Sequence, residues 1–207
     1  MGRGSVVGQV FLSHKDVNAI SFTGSVETGS KVAMACAARG AKFQLEMGGK
    51  NPLVVMADAN LDAAVAGAVD GAFFQTGQRC TASSRLIVDA AVHDAFVEKA
   101  VAAMQALKVD HALKDGTQIG PVVDDKQLAQ DEKYIDIARK DGGTLAWGGE
   151  RLNRDTKGHF LSPALITNTT NDMRINREEV FGPVASVIKV NGYDEALAVV
   201  NDPPFGL

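Results

Sequence analysis

Apolar residues recur along the chain in two alternating kinds of segment, which predict an α/β fold. Short apolar runs bounded by turn residues predict strands, and longer stretches with apolar residues every three or four positions predict helices. The predicted strands cover residues 19–22, 42–47, 53–56, 85–88, 144–147, 161–167 and 184–190. The predicted helices cover residues 5–14, 26–39, 58 to about 76, 92–107, 124–141 and 194–201.

Turn and cap residues mark the ends of several of these elements. Ser25 stands where a helix N-cap is expected, and Gly40 follows the same helix at the position where a left-handed residue often ends it. In the next helix, Val65, Val69 and Phe73 recur every four residues and form one apolar face.

The composition is that of a globular protein and argues against nucleic-acid-binding and membrane-spanning classes. The chain has 207 residues, 45% of them hydrophobic and 22% charged, which is typical of a globular protein. The formal net charge of −4 argues against nucleic acid as a partner. No apolar run is long enough for a membrane span, and the N-terminus lacks the pattern of a secretory signal, so we expect a cytoplasmic protein.

Few residues are candidates for redox or metal chemistry. Cys36 and Cys80 are the two cysteines, too few for a disulfide scaffold or a four-cysteine metal site. The four histidines are dispersed, so we predict no metal site.

Cys80 lies between a predicted helix and a predicted strand, in polar surroundings with Gly77 nearby. It is a candidate nucleophile, and Arg79 would favour its thiolate if that side chain turned inward. The alternative is a small buried cysteine.

Two acidic residues lie beside glycine-containing turns. Glu46 ends an apolar strand before Gly48 and Gly49, where partial desolvation would raise its pKa toward that of a general base. The local alternative is a surface glutamate paired with Lys50. Glu179 precedes Phe181 and a Gly-Pro turn, and it is a candidate for holding a ribose hydroxyl, with a surface acid as the alternative.

Two glycine-containing segments are candidate anion sites. Residues 2–8 form a glycine-rich opening to a helix, which can direct backbone N–H groups at phosphate. The spacing is not that of the dinucleotide fingerprint. Thr23, Gly24 and Ser25 provide a second helix N-terminus, for which simple capping is the alternative.

Four segments in this order resemble the NAD(P)-dependent aldehyde dehydrogenase superfamily. They are Phe22–Gly29, Leu45–Pro52, Gly77–Cys80 and Glu179–Pro183. The similarity runs through essentially the whole chain, and the Glu-Met-Gly-Gly-Lys and Gly-Gln-Arg-Cys motifs are specific as a pair. The resemblance implies an aldehyde dehydrogenase-like catalytic domain over 48–207, incomplete at its C-terminus, preceded over 1–47 by the C-terminal part of a Rossmann-type cofactor domain.

The resemblance also implies roles for individual residues. Cys80 would attack the aldehyde and form a thiohemiacetal, with its own main-chain N–H donating to the oxyanion. Glu46 would activate the water that hydrolyses the later thioester. The cofactor, NAD or NADP, would be bound by a set of five residues. They are Gly24, Ser25, Gln127, Glu179 and Phe181.

The substrate that the resemblance implies is a small aldehyde. Residues 81–85 look most like the semialdehyde branch, in particular 2-oxoglutarate semialdehyde dehydrogenases. Arg79 and Arg85 would suit an anionic substrate. Family members are homo-oligomers, whereas the oligomeric state of this chain is left open.

The chain is less than half as long as a typical member of the superfamily. It lacks counterparts of the family's adenosine-ribose lysine and oxyanion-hole asparagine. We therefore expect the isolated chain to have little dehydrogenase activity. The competing interpretations are a non-catalytic binding or assembly module and a redox-sensing thiol protein.

Overall fold

In the computed structural model, which describes residues 1–206, the chain divides into two units, Met1–Gly48 and Gly49–Leu207. The sequence predicts this boundary one residue earlier, after Met47. The first unit contains two helices and two strands. They are α1 (Gly4–Ser13), β1 (Ala19–Gly24), α2 (Val26–Ala38) and β2 (Lys42–Met47).

The two strands of the first unit pair in parallel, from Ala19 opposite Lys42 to Gly24 opposite Met47. Between them, α2 begins at the predicted cap, where the Ser25 hydroxyl oxygen accepts a hydrogen bond of 3.3 Å from the Thr28 N–H. Gly40 follows the helix with a φ of +68°, as its position predicts. The pairing register therefore places the carboxyl ends of both strands beside the start of α2.

The second unit is built on a five-stranded sheet in the order β3-β4-β7-β6-β5, parallel except for the antiparallel edge strand β5. Its strands are β3 (Asn51–Val55), β4 (Ser83–Asp89), β5 (Thr144–Trp147), β6 (Ala164–Thr169) and β7 (Val184–Val190). Its helices are α3 (Leu61–Phe73), α4 (His93–Gln105), α5 (Asp125–Lys140), α6 (Arg174–Arg177) and α7 (Tyr193–Asn201).

Apolar side chains cover both faces of this sheet. On one face, Leu86 and Val88 of β4 pack with Phe73 of α3 and Phe96 of α4. On the other, Ile87 joins the cluster that includes Ala196 of α7. Successive side chains of a strand point to opposite faces, so a continuous apolar run such as 86–88 is the signature of a strand buried on both sides.

Three neighbouring parallel strands begin at the same edge of the sheet. In β3, Asn51 pairs with Ser83 of β4, and further along, Arg85 of β4 pairs with Ser186 of β7. The segments that precede these strands therefore meet at one edge, although they are far apart in sequence. They are residues 49–50, 78–82 and 179–183.

Most predicted elements agree with the structure. The bounds of β2, β5 and β7 are those predicted, while β6 begins at Ala164 rather than at 161. The one-turn helix α6 has no apolar periodicity long enough to predict it. Within residues 1–206, no helix has the length and apolarity needed to cross a membrane.

One carboxyl is buried beneath the segment that precedes β7. Asp131 of α5 is fully buried, and its Oδ1 accepts a hydrogen bond of 2.7 Å from Gln127 Nε2, while Oδ2 has no partner. A Cβ added to Gly182 would overlap with this carboxyl. Burial raises the pKa of Asp131 to about 7, an effect that the Gln127 hydrogen bond opposes and Glu132 reinforces.

We expect Asp131→Asn to remove a pH dependence of stability. The folded chain holds the Asp131 proton up to about pH 7, whereas the unfolded chain releases it near the ordinary aspartate pKa of 3.8. The free energy of unfolding should therefore fall as the pH rises from about 4 to about 7, by roughly 2–4 kcal/mol relative to the variant. Urea unfolding between pH 4 and 8 measures this difference.

Asp136→Asn is the matched control, since it changes an exposed carboxylate on the same helix. This control should keep the pH dependence of the unaltered chain. If Asp131→Asn also kept it, the buried carboxyl would not be protonated at neutral pH.

Candidate active site

A strained turn leads from α3 to Cys80. Gln75, Thr76 and Gly77 have φ values of 54°, 60° and 64°, so two non-glycine residues adopt left-handed conformations in succession. Such conformations cost of the order of 1–3 kcal/mol each and persist where the surroundings enforce them. Here Thr76 is buried, and its hydroxyl donates to the Gly120 carbonyl at 3.4 Å.

Gly77 lets this turn contact the segment that precedes β7. A Cβ at position 77 would overlap with the carbonyl oxygen of Gly182. Both its positive φ and this close approach therefore require glycine. The contact holds the turn before Cys80 against the turn after Phe181.

The Cys80 side chain is exposed, whereas Cys36 is buried. The Cys80 carbonyl accepts a hydrogen bond of 2.6 Å from Asn51 Nδ2, and the same amide donates to the Ala82 carbonyl at 3.2 Å. In residues 1–206, the Cys80 N–H donates no hydrogen bond, so it is free to donate to a ligand. An accessible thiol beside a free N–H suits nucleophilic attack on a carbonyl.

Glu179 is half-buried at the same edge of the sheet. Its Oε1 accepts a hydrogen bond of 3.3 Å from the Gly49 N–H. Burial raises the pKa of Glu179, while this hydrogen bond and the Lys50 ammonium act in the opposite direction. The Lys50 side chain is itself buried, which together with Arg85 lowers the pKa of Lys50 to about 7, and Glu179 and Glu178 oppose that shift.

Phe181 presents its ring at the surface on an unusual backbone. Its φ is +60° and 40% of the residue is exposed. From α5, Gln127 Nε2 and Gln130 Nε2 donate to the preceding Val180 carbonyl at 3.0 and 2.7 Å. The Gln127 amide therefore makes hydrogen bonds within the protein, and through the Val180 carbonyl it holds the Glu179–Phe181 segment in place.

The described structure brings three of the predicted site residues of the second unit around one crevice. Its volume is about 20 Å³, enough for about one water molecule. Its walls include Gly49, Cys80, Glu179, Phe181 and Gly182. Gln127 is not among the lining residues and contributes through the Val180 carbonyl.

The expectation that both arginines suit an anionic substrate is wrong for Arg85, which is buried, whereas Arg79 lines the crevice with one guanidinium nitrogen bound to the main chain. Arg79 Nη2 donates to the carbonyls of Asp70 and Gly71 at the end of α3, at 3.0 and 2.7 Å. Arg85 is fully buried in β4. Its guanidinium donates to four oxygens, which are the carbonyls of Lys50, Val199 and Val200 and Oδ1 of Asn171.

The first unit brings together the other predicted residues. Thr23 pairs with Glu46 in the sheet register, so Gly24, Ser25 and Glu46 lie at the carboxyl ends of β1 and β2. A groove of about 410 Å³ runs over α1, β1 and α2, with Gly4, Gly8, Phe22 and Thr28 among its lining residues. The helix that the glycine-rich segment opens begins at Gly4, one residue before its predicted start.

The environment of Glu46 differs from the expected one. Its side chain is exposed, so the expectation of partial desolvation is wrong. The physical reason is that β2 belongs to a two-stranded sheet, on which Lys42, Phe43 and Gln44 are exposed as well. The alternative of a surface pair with Lys50 is also wrong, because Lys50 is buried.

Sequence reasoning missed two residues of this site. Asn51 holds the carbonyl of Cys80, and Lys50 places a buried ammonium near Glu179. The available signal was their position between two glycines and the predicted strand over 53–56, since polar residues just before a buried strand lie at the end of a sheet.

Comparison with known proteins relates the whole chain to one family. A family model described as "Aldehyde dehydrogenase family" matches residues 1–207. An alpha-ketoglutaric semialdehyde dehydrogenase of Bacillus subtilis (strain 168) is 44% identical over 208 residues, covering 100% of this chain and 43% of the relative. A betaine aldehyde dehydrogenase of the same organism is 39% identical, with the same coverage.

Solved structures of related proteins share the fold of this chain. Betaine aldehyde dehydrogenase (betB) from Staphylococcus aureus, in complex with NAD+, matches with a TM-score of 0.96 and 38% identity, covering 100% of this chain and 41% of that one. A double mutant of the same protein with NAD+ matches with a TM-score of 0.97. The chain spans a little over two fifths of the length of these relatives. Its sequence and its fold show that it belongs to the aldehyde dehydrogenase family.

Proposed function

We propose that this chain carries the nucleophile and part of the cofactor site of an NAD(P)-dependent aldehyde dehydrogenase. The observation that carries the proposal is the crevice where exposed Cys80, half-buried Glu179 and the Phe181 ring meet at the start of three parallel strands. Family membership supports the assignment of the reaction, the oxidation of an aldehyde to a carboxylic acid.

The residues present fit a nicotinamide cofactor. The first unit offers a groove next to the capped N-terminus of α2, where Gly24 and Ser25 would face a phosphate. In the second unit, Glu179 would accept from a ribose hydroxyl, and the Phe181 ring would pack beside the nicotinamide. The chemistry that NAD or NADP supplies when bound is acceptance of the hydride.

Cys80 performs the first covalent step in this proposal. Its thiolate adds to the aldehyde carbon, so that a C–S bond forms and the carbonyl oxygen becomes an oxyanion, to which the Cys80 N–H donates. Oxidation of this adduct leaves a thioester on Cys80.

Glu46 performs the last step. It takes a proton from water as the water oxygen attacks the thioester carbonyl, the C–S bond breaks, and the Cys80 thiol is restored. Gln127 contributes by holding the Val180 carbonyl beside Glu179.

A semialdehyde is the proposed substrate class, supported by the alpha-ketoglutaric semialdehyde dehydrogenase relative. Because the Arg85 guanidinium is buried and bound to the protein itself, a carboxylate on the substrate would need a partner other than Arg85. The cytoplasm is the proposed compartment, since Cys80 reacts only as a thiol. The family resemblance implies that members of the family are homo-oligomers.

A non-catalytic assembly module is the second candidate function. Exposed apolar residues of α1 favour it, because Val6, Val10 and Phe11 are each more than half exposed. The accessibility of Cys80 favours the enzyme. Thiol reactivity and ester hydrolysis separate the two.

Cys80→Ser is expected to reduce hydrolysis of p-nitrophenyl acetate to the background rate, because attack by a thiolate on an ester needs no cofactor. Iodoacetamide should label Cys80 in the unaltered chain and leave buried Cys36 unmodified. Peptide mass spectrometry and release of p-nitrophenol measure the two effects. Cys36→Ala is the control and should hydrolyse the ester normally. Ester hydrolysis by Cys80→Ser at the rate of the unaltered chain would show that Cys80 is not the nucleophile.

Glu46→Gln is expected to slow deacylation by roughly 10²–10⁴-fold, because an amide cannot accept the proton of water. The release of p-nitrophenol should then show a stoichiometric burst followed by slow turnover, with an acetyl group retained on Cys80. Glu27→Gln is the matched control, as it alters an exposed glutamate of α2 that pairs with Lys31. Equal steady-state rates in the Glu46 and Glu27 variants would remove Glu46 from the mechanism.

The isolated 207 residues should form NADH from semialdehydes at far below about 10 s⁻¹, a median turnover for enzymes. Loss of one oxyanion donor alone costs on the order of 10²–10³-fold, and the chain spans only 43% of its relative. Absorbance at the NADH maximum with a panel of semialdehydes measures the rate, and ester hydrolysis by the same sample controls for folding. Turnover of ordinary size would contradict this expectation.

A further inference from the structure

The side-chain amide of Asn51 connects the start of β3 to the loop that carries Cys80. Its Nδ2 lies 2.6 Å from the Cys80 carbonyl oxygen and 3.2 Å from that of Ala82. Because both partners are carbonyl acceptors, the amide nitrogen must face them. One side chain therefore binds both ends of the short segment from Cys80 to Ala82.

Two peptide planes flank the Cα atom of Cys80, and each is held by one hydrogen bond. The Arg79 carbonyl, in the plane that includes the Cys80 N–H, accepts from the Ala82 N–H at 3.1 Å. The Cys80 carbonyl, in the following plane, is held by Asn51. Together the two bonds set both backbone dihedral angles of Cys80, and thus the directions of its N–H and its Cβ–Sγ bond.

Asn51 is itself well placed to hold a fixed position. It pairs with Ser83 of β4, and Pro52 follows it on the edge strand, where a residue without an N–H is tolerated. The preceding residues are held too, since the Lys50 carbonyl accepts from Arg85 Nε at 2.9 Å and the Gly49 N–H donates to Glu179.

We propose that Asn51 is a positioning residue for Cys80, which orients the thiol and the main-chain N–H toward the carbonyl that they act on. The inference rests on the proposed function, because it assigns Asn51 a role in the same nucleophilic step. Asn51 touches the main chain and not the sulfur. Its loss should therefore impair the directed attack on a carbonyl, which needs both the thiol and the N–H, more than simple alkylation, which needs only an accessible thiolate.

The test compares Asn51→Ala with the unaltered chain in two reactions of Cys80. One is acylation by p-nitrophenyl acetate, followed as the burst of p-nitrophenol. The other is alkylation by iodoacetamide, followed between pH 6 and 10. We expect acylation to fall by roughly 10–100-fold, since small misplacements of reacting groups have effects of this order. The alkylation rate and its pH profile should stay within about twofold.

Two further variants make the comparison specific. Asn51→Ser retains one donor on a shorter side chain and should recover part of the acylation rate, and it also tests the inference if Asn51→Ala fails to fold. Asn201→Ala removes another amide donor to a main-chain carbonyl, the 2.9 Å bond to Leu197, and should change neither rate.

Hydrogen exchange provides a readout that does not depend on the reaction. Amides of residues 79–82 should exchange faster in Asn51→Ala than in the unaltered chain, while the rest of the second unit is unchanged. Equal exchange, or equal losses of acylation and alkylation, would overturn the positioning role alone. Absence of acylation in the unaltered chain, with normal alkylation of Cys80, would instead overturn the proposed function and with it this role.

Discussion

The parallel pairing of β3, β4 and β7 is the constraint on which the site in the second unit depends. Each of these strands is preceded by one of the segments that carry its chemistry, and adjacency in the sheet brings these segments to one edge. Residues that are more than a hundred positions apart, such as Gly49 and Glu179, thereby come within hydrogen-bonding distance. Helices on both faces bury the sheet, and Cys80, Glu179 and Phe181 line a crevice at this edge.

Backbone strain is concentrated at the same edge. Gln75, Thr76 and Phe181 are three of the four non-glycine residues with positive φ in residues 1–206. The surrounding contacts stabilise these conformations, with Thr76 buried and the carbonyl before Phe181 held by two glutamines of α5. Strain of this kind is common where a protein must present a side chain in one direction. Here it places the Phe181 ring at the surface beside Glu179.

Much of this arrangement could be predicted from the sequence, because local patterns determine local structure. Apolar runs predict the bounds of β2, β5 and β7, and the Ser25 cap and Gly40 mark the ends of α2. The motifs around Glu46, Cys80 and Glu179 are recognisable by their spacing. The contacts of long side chains were not predictable. The sequence suggests Arg85 as a substrate anchor, yet its partners include the carbonyls of Val199 and Val200, more than a hundred residues away.

The buried guanidinium of Arg85 also constrains the order in which the second unit can fold during synthesis. Two of its acceptors are the carbonyls of Val199 and Val200 in the last turn of α7, so they leave the ribosome more than a hundred residues after Arg85 itself. A buried charge without partners is strongly destabilising. We therefore expect nascent chains that end before α7 to keep this part of the sheet open, and Arg85 to become buried only after α7 has emerged.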